Sequence, residues 1–223
     1  MITLHHLDNS RSQRILWLLE EIGIEYEVKL YKRDSKTMRA PAALRDIHPL
    51  GKSPVITDGA IRVAESGAII EYLIETYAPK LRPDAGTEAA RRYTYWLHFA
   101  EGSLMPPLLV RLVLSQLTGP RVPFLVRPIA RMLANKLNSS FTNPEIERLF
   151  AYVDAALSDR DWFAGDELTG ADIQMSFPIE AASARGGLDA SHTNIRAWLD
   201  RIHERPAYKR ALERGGKFGI IGG

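Results

Sequence analysis

Two short stretches of this chain hold residue types whose chemistry goes beyond packing. The first, His48-Pro49-Leu50-Gly51-Lys52-Ser53-Pro54-Val55-Ile56, sets a proline at the very start of an apolar strand. A proline there leaves one ladder position open, and a cis Ser53-Pro54 bond would turn the Val55 backbone N–H and C=O toward an extended peptide ligand. A trans proline that only starts the strand is the plain alternative. The second, Glu65-Ser66-Gly67-Ala68-Ile69-Ile70, puts an acid and a hydroxyl at the mouth of a helix. First-turn N–H groups bind a carboxylate, Ser66 adds a hydroxyl and Glu65 accepts from an ammonium, which together fit an α-amino acid head group. Otherwise Ser66 is an N-cap and Glu65 a charge that suits the helix dipole. His5 and His6 are neighbours on a strand and point to opposite faces, so they do not share a metal ion; one is read as core and no metal site is expected.

The elements that must position these groups can be read from periodicity. Residues 2–6 form an apolar strand, and Asp8-Asn9-Ser10 supplies turn and capping chemistry. Ile15, Leu16, Leu18, Leu19 and Ile22 recur at helical spacing, with Gly23 where a C-cap belongs, so 10–23 is a helix. Residues 25–31 alternate as a half-buried strand. A short helix over 41–47 ends at His48, because the residue before Pro49 is pushed out of the α region. Strands at 54–57 and 61–63 flank Asp58-Gly59, a hairpin signal. Ile69, Ile70, Leu73 and Ile74 give 66–77 one apolar helical face. The sum is βαβ-α-ββα, one mixed α/β sheet layer with helices packed on it. Residues 78–86 break every periodicity, which divides the chain into a domain over 1–78, a linker over 79–86 and an all-α domain over 87–223. Its helices are expected at 88–116, bent near Pro106-Pro107, then 124–137, 145–157, 171–185, 195–204 and after Pro206. Asn143-Pro144 reads as an N-cap with first-turn proline, and Thr169-Gly170-Ala171-Asp172 as a capping box.

Composition narrows the chemistry. At 223 residues and 45% hydrophobic, the chain can bury a large core, and a net charge of +2 gives no pull toward nucleic acid. Without cysteine there is no disulfide framework, thiolate metal site or protein thiol nucleophile, so redox chemistry would need a bound thiol. The opening Met-Ile-Thr-Leu-His-His has no secretory pattern, and the apolar run 104–117 is interrupted by Pro106, Pro107 and Arg111. A cytoplasmic address without stable membrane insertion is expected. Between Gly102 and Asn143 there is no acid, while Arg111, Arg121, Arg127, Arg131 and Lys136 lie among apolar side chains. This suits hydrophobic or anionic ligands, a solvated basic face, or light contact with a membrane.

Four motifs in order carry a resemblance: Asn9-Ser10-Arg11-Ser12-Gln13-Arg14, residues 48–56, residues 65–70, and Trp162-Phe163-Ala164-Gly165-Asp166-Glu167-Leu168-Thr169-Gly170-Ala171-Asp172-Ile173. Over nearly its whole length the chain resembles the cytosolic glutathione transferases, in wording closest to bacterial and fungal Gtt-like members. The resemblance implies a thioredoxin-like domain holding glutathione as co-substrate, an all-helical domain for the second substrate, and a homodimer. It implies that Pro54 is a cis-proline, that Lys52, Ser53, Val55, Glu65 and Ser66 bind glutathione, and that Glu101 reaches the partner subunit's glutathione. Tyr95, His98, Phe99 and Ser103, on the long helix, are expected to line the second-substrate pocket. The catalytic group must favour the thiolate, which a donor at the tip of the first helix does together with the helix dipole. Ser10 is the first candidate, with Asn9, Arg11 and Ser12 as competitors. Ser10-Arg11-Ser12-Gln13 is also a capping-box pattern. Conjugation to a small hydrophobic or anionic electrophile is the implied reaction; glutathione-dependent peroxide or disulfide reduction, and a non-catalytic binding module, stay open.

Overall fold

The computed structural model describes residues 1–216 except 36, 38, 120, 121 and 186, so Arg121 lies outside the described residues. Strands β1 (Ile2–Leu7), β2 (Tyr26–Tyr31), β3 (Val55–Asp58) and β4 (Ile61–Ala64) form one sheet in the order β2-β1-β3-β4. β1 runs parallel to β2 and antiparallel to β3, and β3 antiparallel to β4. The parallel pair needs a crossover, which is α1 (Ser12–Ile22), closed by Gly23 in the left-handed region with its N–H on Leu19 O. α1 starts two residues later than the sequence suggested, because Arg11 already takes a helical turn conformation (φ −57°, ψ −14°) without a capping side chain. α2 (Ala43–Ile47) and α3 (Ser66–Tyr77) complete this half, and a 3-10 turn, Pro79–Leu81, occupies the expected linker.

In the helical half, α4 (Glu88–Phe99) and α5 (Met105–Gln116) are one continuous run joined by a π-helical turn, Ala100–Leu104. Pro106 and Pro107 have no N–H, so the ladder cannot continue unchanged past them. The chain widens instead, and Met105 N–H reaches back to Ala100 O, five residues away. The same device recurs ahead of Pro144: α6 (Arg127–Leu137) passes through a π-helical turn, Asn138–Thr142, into α7 (Asn143–Ala156), with Asn143 N–H on Asn138 O. Asn143-Pro144 therefore lies inside a helical run and caps nothing, a correction to the sequence reading; Asn143 has helical angles (φ −66°, ψ −49°).

The fold closes with α8 (Gly170–Ala184), α9 (Thr193–Glu204) and α10 (Pro206–Gly215). α8 is buried from Gly170 to Ala182 and touches both halves. A Cβ on Gly170 would come 2.5 Å from Ile74 Cδ1 of α3, so only glycine permits this approach. One core cluster runs from Ile2 of the sheet to Ala211 of α10.

The capping box at Thr169 is present, and Asp172 does more than cap. Its carboxylate accepts from Phe163 N–H (2.9 Å), Trp198 Nε1 (3.1 Å), Thr169 N–H (3.0 Å) and Thr169 Oγ1 (3.1 Å). Burial pushes its carboxyl up to about 6, against four donated bonds that favour the charged form. Asp172→Ala leaves these buried donors unpaired. It is expected to cost about 3 kcal/mol or more in urea unfolding at pH 7.5, and a loss below about 1 kcal/mol would contradict this role.

Candidate active site

A cleft between the two halves has two joined parts. The smaller, about 350 Å³, is lined by Arg11, His48, Lys52, Ser53, Pro54, Glu65, Ser66 and Glu101. The larger, about 680 Å³, shares Arg11, Lys52 and Ser53 and extends past Asn9 and Ser10 to Met105, Leu108, Leu112 and Phe177.

The Ser53-Pro54 bond is cis. Ser53 fastens its loop to the end of β1, its Oγ donating to His5 O (2.9 Å) and accepting from Leu7 N–H (3.2 Å). Val55 needs correction as a ligand: it pairs with His5 of β1 and Ala64 of β4 and is buried, so its backbone polar groups are spent in the sheet. Ser53, just ahead of the strand, keeps its backbone outside the ladder and lines both parts of the cleft. Ser66 opens α3 with its side chain on the smaller part, and among the described residues its hydroxyl has no hydrogen bond. Glu65 takes φ +70°, a left-handed conformation costly for a residue other than glycine, and its side chain stays exposed at the helix mouth.

The tip of α1 holds a chain of hydrogen bonds. His6 Nε2 lies 3.2 Å from Gly215 O, which can only accept, so Nε2 carries the hydrogen and Nδ1 is the acceptor. Ser12 Oγ, 2.8 Å from Nδ1, therefore donates to it. With that hydrogen spent, the 2.7 Å contact between the two serines has Ser10 donating to Ser12, while Ser12 N–H donates to Ser10 Oγ at 3.2 Å. Burial holds the His6 pKa below its ordinary value, which keeps the ring neutral and the direction fixed. Ser12 is fully buried and lines neither part of the cleft, so it is corrected from a direct donor to a support behind Ser10. Asn9, Ser10 and Arg11 do face the cleft.

Comparison with known proteins gives a consistent result. Residues 1–75 match the glutathione S-transferase N-terminal domain model and 136–206 the C-terminal domain model. Glutathione S-transferase 3 of Schizosaccharomyces pombe is 40% identical, over 96% of this chain and 88% of that protein. The chain belongs to the glutathione S-transferase family. Glutathione S-transferase 1 of Saccharomyces cerevisiae is 34% identical over 98% of this chain and 97% of its own length. The crystal structure of a glutathione S-transferase from Actinobacillus pleuropneumoniae superposes with a TM-score of 0.80 at 35% identity, covering 99% of this chain and 95% of that one.

Within this transferase the four residues expected to line the second-substrate pocket are elsewhere. Tyr95 and Phe99 stack on each other (5.6 Å), with Tyr152 of α7 edge-on to Tyr95 and tilted against Phe99, while His98 and Ser103 face outward and line neither part of the cleft. The face that lines it is Glu101, Met105, Leu108, Leu109 and Leu112, a helical stripe offset by the π turn from the Tyr95–Phe99 face. Phe177 of α8 and the His6 relay were also absent from the sequence reading; only the 101-105-108-112 spacing was there to find.

Glu101, expected to serve a partner subunit, is engaged in its own chain. Arg14 Nη2 donates to it at 2.5 Å and Arg11 Nε at 2.9 and 3.1 Å. Burial pushes its carboxyl up, but Arg14 and Arg11 outweigh that and hold it below the ordinary glutamate value. A lowered folded pKa means the stabilisation is complete above the unfolded value of about 4.5 and is lost as pH falls through the folded one. Glu101→Gln is expected to cost about 2 kcal/mol at pH 7, discounted from a fully buried pair because the carboxylate is 35% exposed. Urea unfolding from pH 7 downward should show the gap between wild type and variant closing as pH falls below the unfolded value of about 4.5; a gap independent of pH would contradict the pair.

Proposed function

We propose that this chain is a cytoplasmic, homodimeric detoxification enzyme that conjugates the glutathione thiolate to small electrophiles. The observation that carries the reading is the cradle itself: the Ser53-Pro54 loop, Lys52 and the Ser66 hydroxyl, unpartnered among the described residues, face one small cavity beside the tip of α1. The γ-glutamyl carboxylate sits on Ser66 and the first-turn N–H groups of α3, with its ammonium group between Glu65 and Glu101. The cysteinyl backbone pairs with Ser53, and Lys52 meets the glycyl carboxylate. The sulfur then lies at the tip of α1, where the helix dipole and a donor lower the thiol pKa. The thiolate attacks the electrophilic carbon, a C–S bond forms, and the leaving group departs with its bonding pair.

Ser10 is the first donor, with Asn9 and Arg11 on the same cleft. To donate to the thiolate, Ser10 must turn its hydrogen away from Ser12, exchanging one bond for a charge-assisted one. The homodimer is supported by apolar side chains on α5 and α6, among them Val113, Ile129, Met132, Leu133 and Leu137, exposed by 50–62%. The 29-residue run Glu88–Gln116 is apolar enough by composition to cross a membrane but is anchored in the core by Tyr93, Trp96 and Leu97, which supports a chain without stable membrane insertion.

Calorimetry should detect glutathione binding, and chlorodinitrobenzene should be conjugated faster than cumene hydroperoxide or hydroxyethyl disulfide is reduced. Binding without any turnover would favour a binding module. Ultraviolet difference titration should show Ser10→Ala raising the bound thiol pKa. Ser12→Ala removes the competing acceptor and should lower it, by up to about one unit. The same shift in both variants would contradict the relay. Gel filtration should give a species of twice 25.0 kDa, and a monomer at micromolar concentration would end the dimer proposal.

A further inference from the structure

Beyond Leu108 and Leu112 the cleft continues into a cavity of about 420 Å³ between α5 and α8, with Ala181 and Ala182 as its far wall. Two cations stand in this apolar setting, Arg111 of α5 and Arg185 at the end of α8, and Arg185 lines the larger part of the cleft as well. Among the described residues neither guanidinium has a hydrogen bond or ion pair. That sets them apart from Arg11 and Arg14, both of which pair with Glu101. Among the described residues no acid lines this cavity or the larger part of the cleft. Arg111 is half-buried, and a Cβ on Gly187 would come 3.2 Å from its Nη1, so the glycine leaves that guanidinium its room.

We propose that the acceptor substrate carries an anionic group, a carboxylate, phosphate or sulfonate, held by Arg111 and Arg185. The proposal rests on the conjugation reading and names the substrate class of the same site. Glutathione's two carboxylates have Lys52 and the start of α3, so the positive charge at the far end is answered neither by the protein nor by the co-substrate. A neutral acceptor leaves it to water; an anionic acceptor gains charge-assisted bonds with the fork geometry of arginine. Arg111 lies six residues, or about 9 Å along the helix axis, beyond Met105, which lines the cleft together with Ser10. That span suits an aromatic or short aliphatic body with the reactive carbon at one end and the anion at the other. The leucines grip the body. The anion takes no part in bond making, and the carbon–sulfur bond forms as a halide departs with its electron pair. The uncompensated arginines also raise the local concentration of anions, an effect that salt screens.

The test compares 4-chloro-3,5-dinitrobenzoate with its methyl ester as acceptors for glutathione, using the full chain. Arg111→Gln and Arg185→Gln should each lower the benzoate-to-ester ratio of kcat/KM about tenfold, through KM, and added sodium chloride should lower the same ratio in wild type. A ratio unmoved by both variants and by salt means a solvated basic face only, and overturns the proposal. Arg185 is exposed, so its variant keeps the test valid if Arg111→Gln fails to fold. Calorimetry with the pre-formed carboxyl-bearing conjugate and its ester separates the two levels. Tighter, arginine-dependent binding of the carboxyl form without turnover of either acceptor would sink the conjugation reading and keep the anion site. Turnover of both acceptors with equal binding of both conjugates would do the reverse.

Discussion

The buried guanidinium of Arg14 is the interaction on which the cleft depends. Its side chain has no exposure, and a charge so placed needs partners; Nη1 and Nη2 have them, while Nε has none among the described residues. Pro178 interrupts α8, which leaves Gln174 O, four residues earlier, without its helical donor; Arg14 Nη1 supplies it at 2.7 Å. The other nitrogen, Nη2, holds Glu101 on the π turn. The guanidinium also lies 5.7 Å from the centre of the Phe177 ring. One side chain thus ties the first helix to a broken rung of α8 and to the widened turn of the long helix. Burial lowers its pKa to about 10, which leaves it charged at neutral pH.

Around that fixed point the site combines parts with separate physical origins. The sheet half brings a loop stitched to β1 by the Ser53 hydroxyl and a helix mouth whose hydroxyl has no partner among the described residues. The helical half brings an apolar wall and a carboxylate already committed to two arginines. With no cysteine in the chain, the sulfur has to come with the co-substrate, and the protein's share is to hold it and favour its charged form. The serine at the helix tip is not idle while it waits. Its hydrogen is turned inward by a relay that ends on Gly215, a residue whose own Cβ would strike Gln13 and Leu16 of α1.

The sheet half was legible because its signals are local: alternation over 25–31, Asp58-Gly59 between two short strands, and one apolar face over 66–77. Errors arose where a local pattern met a backbone choice. Ser10 resembles an N-cap, and its Oγ does take Ser12 N–H, but Arg11 between them already turns and α1 starts beyond it. Val55 looks open because a proline precedes it, yet strands on both sides close over it. The pocket face of the long helix was misplaced because a π turn adds a residue to the count, and Pro106-Pro107 suggested a bend rather than a rotation. The role of His6 rests on a partner 209 residues away, which no window of sequence contains.

In the proposed complex, a cradle anchored through Arg14 delivers the sulfur of glutathione to Ser10. A crystal structure of the glutathione complex tests it most directly. The sulfur should lie within about 3.5 Å of Ser10 Oγ, with the cysteinyl backbone along Ser53 and the γ-glutamyl carboxylate on Ser66. A tripeptide bound with its sulfur closer to Asn9 or Arg11, or lying outside the Lys52 to Ser66 cavity, would contradict the account.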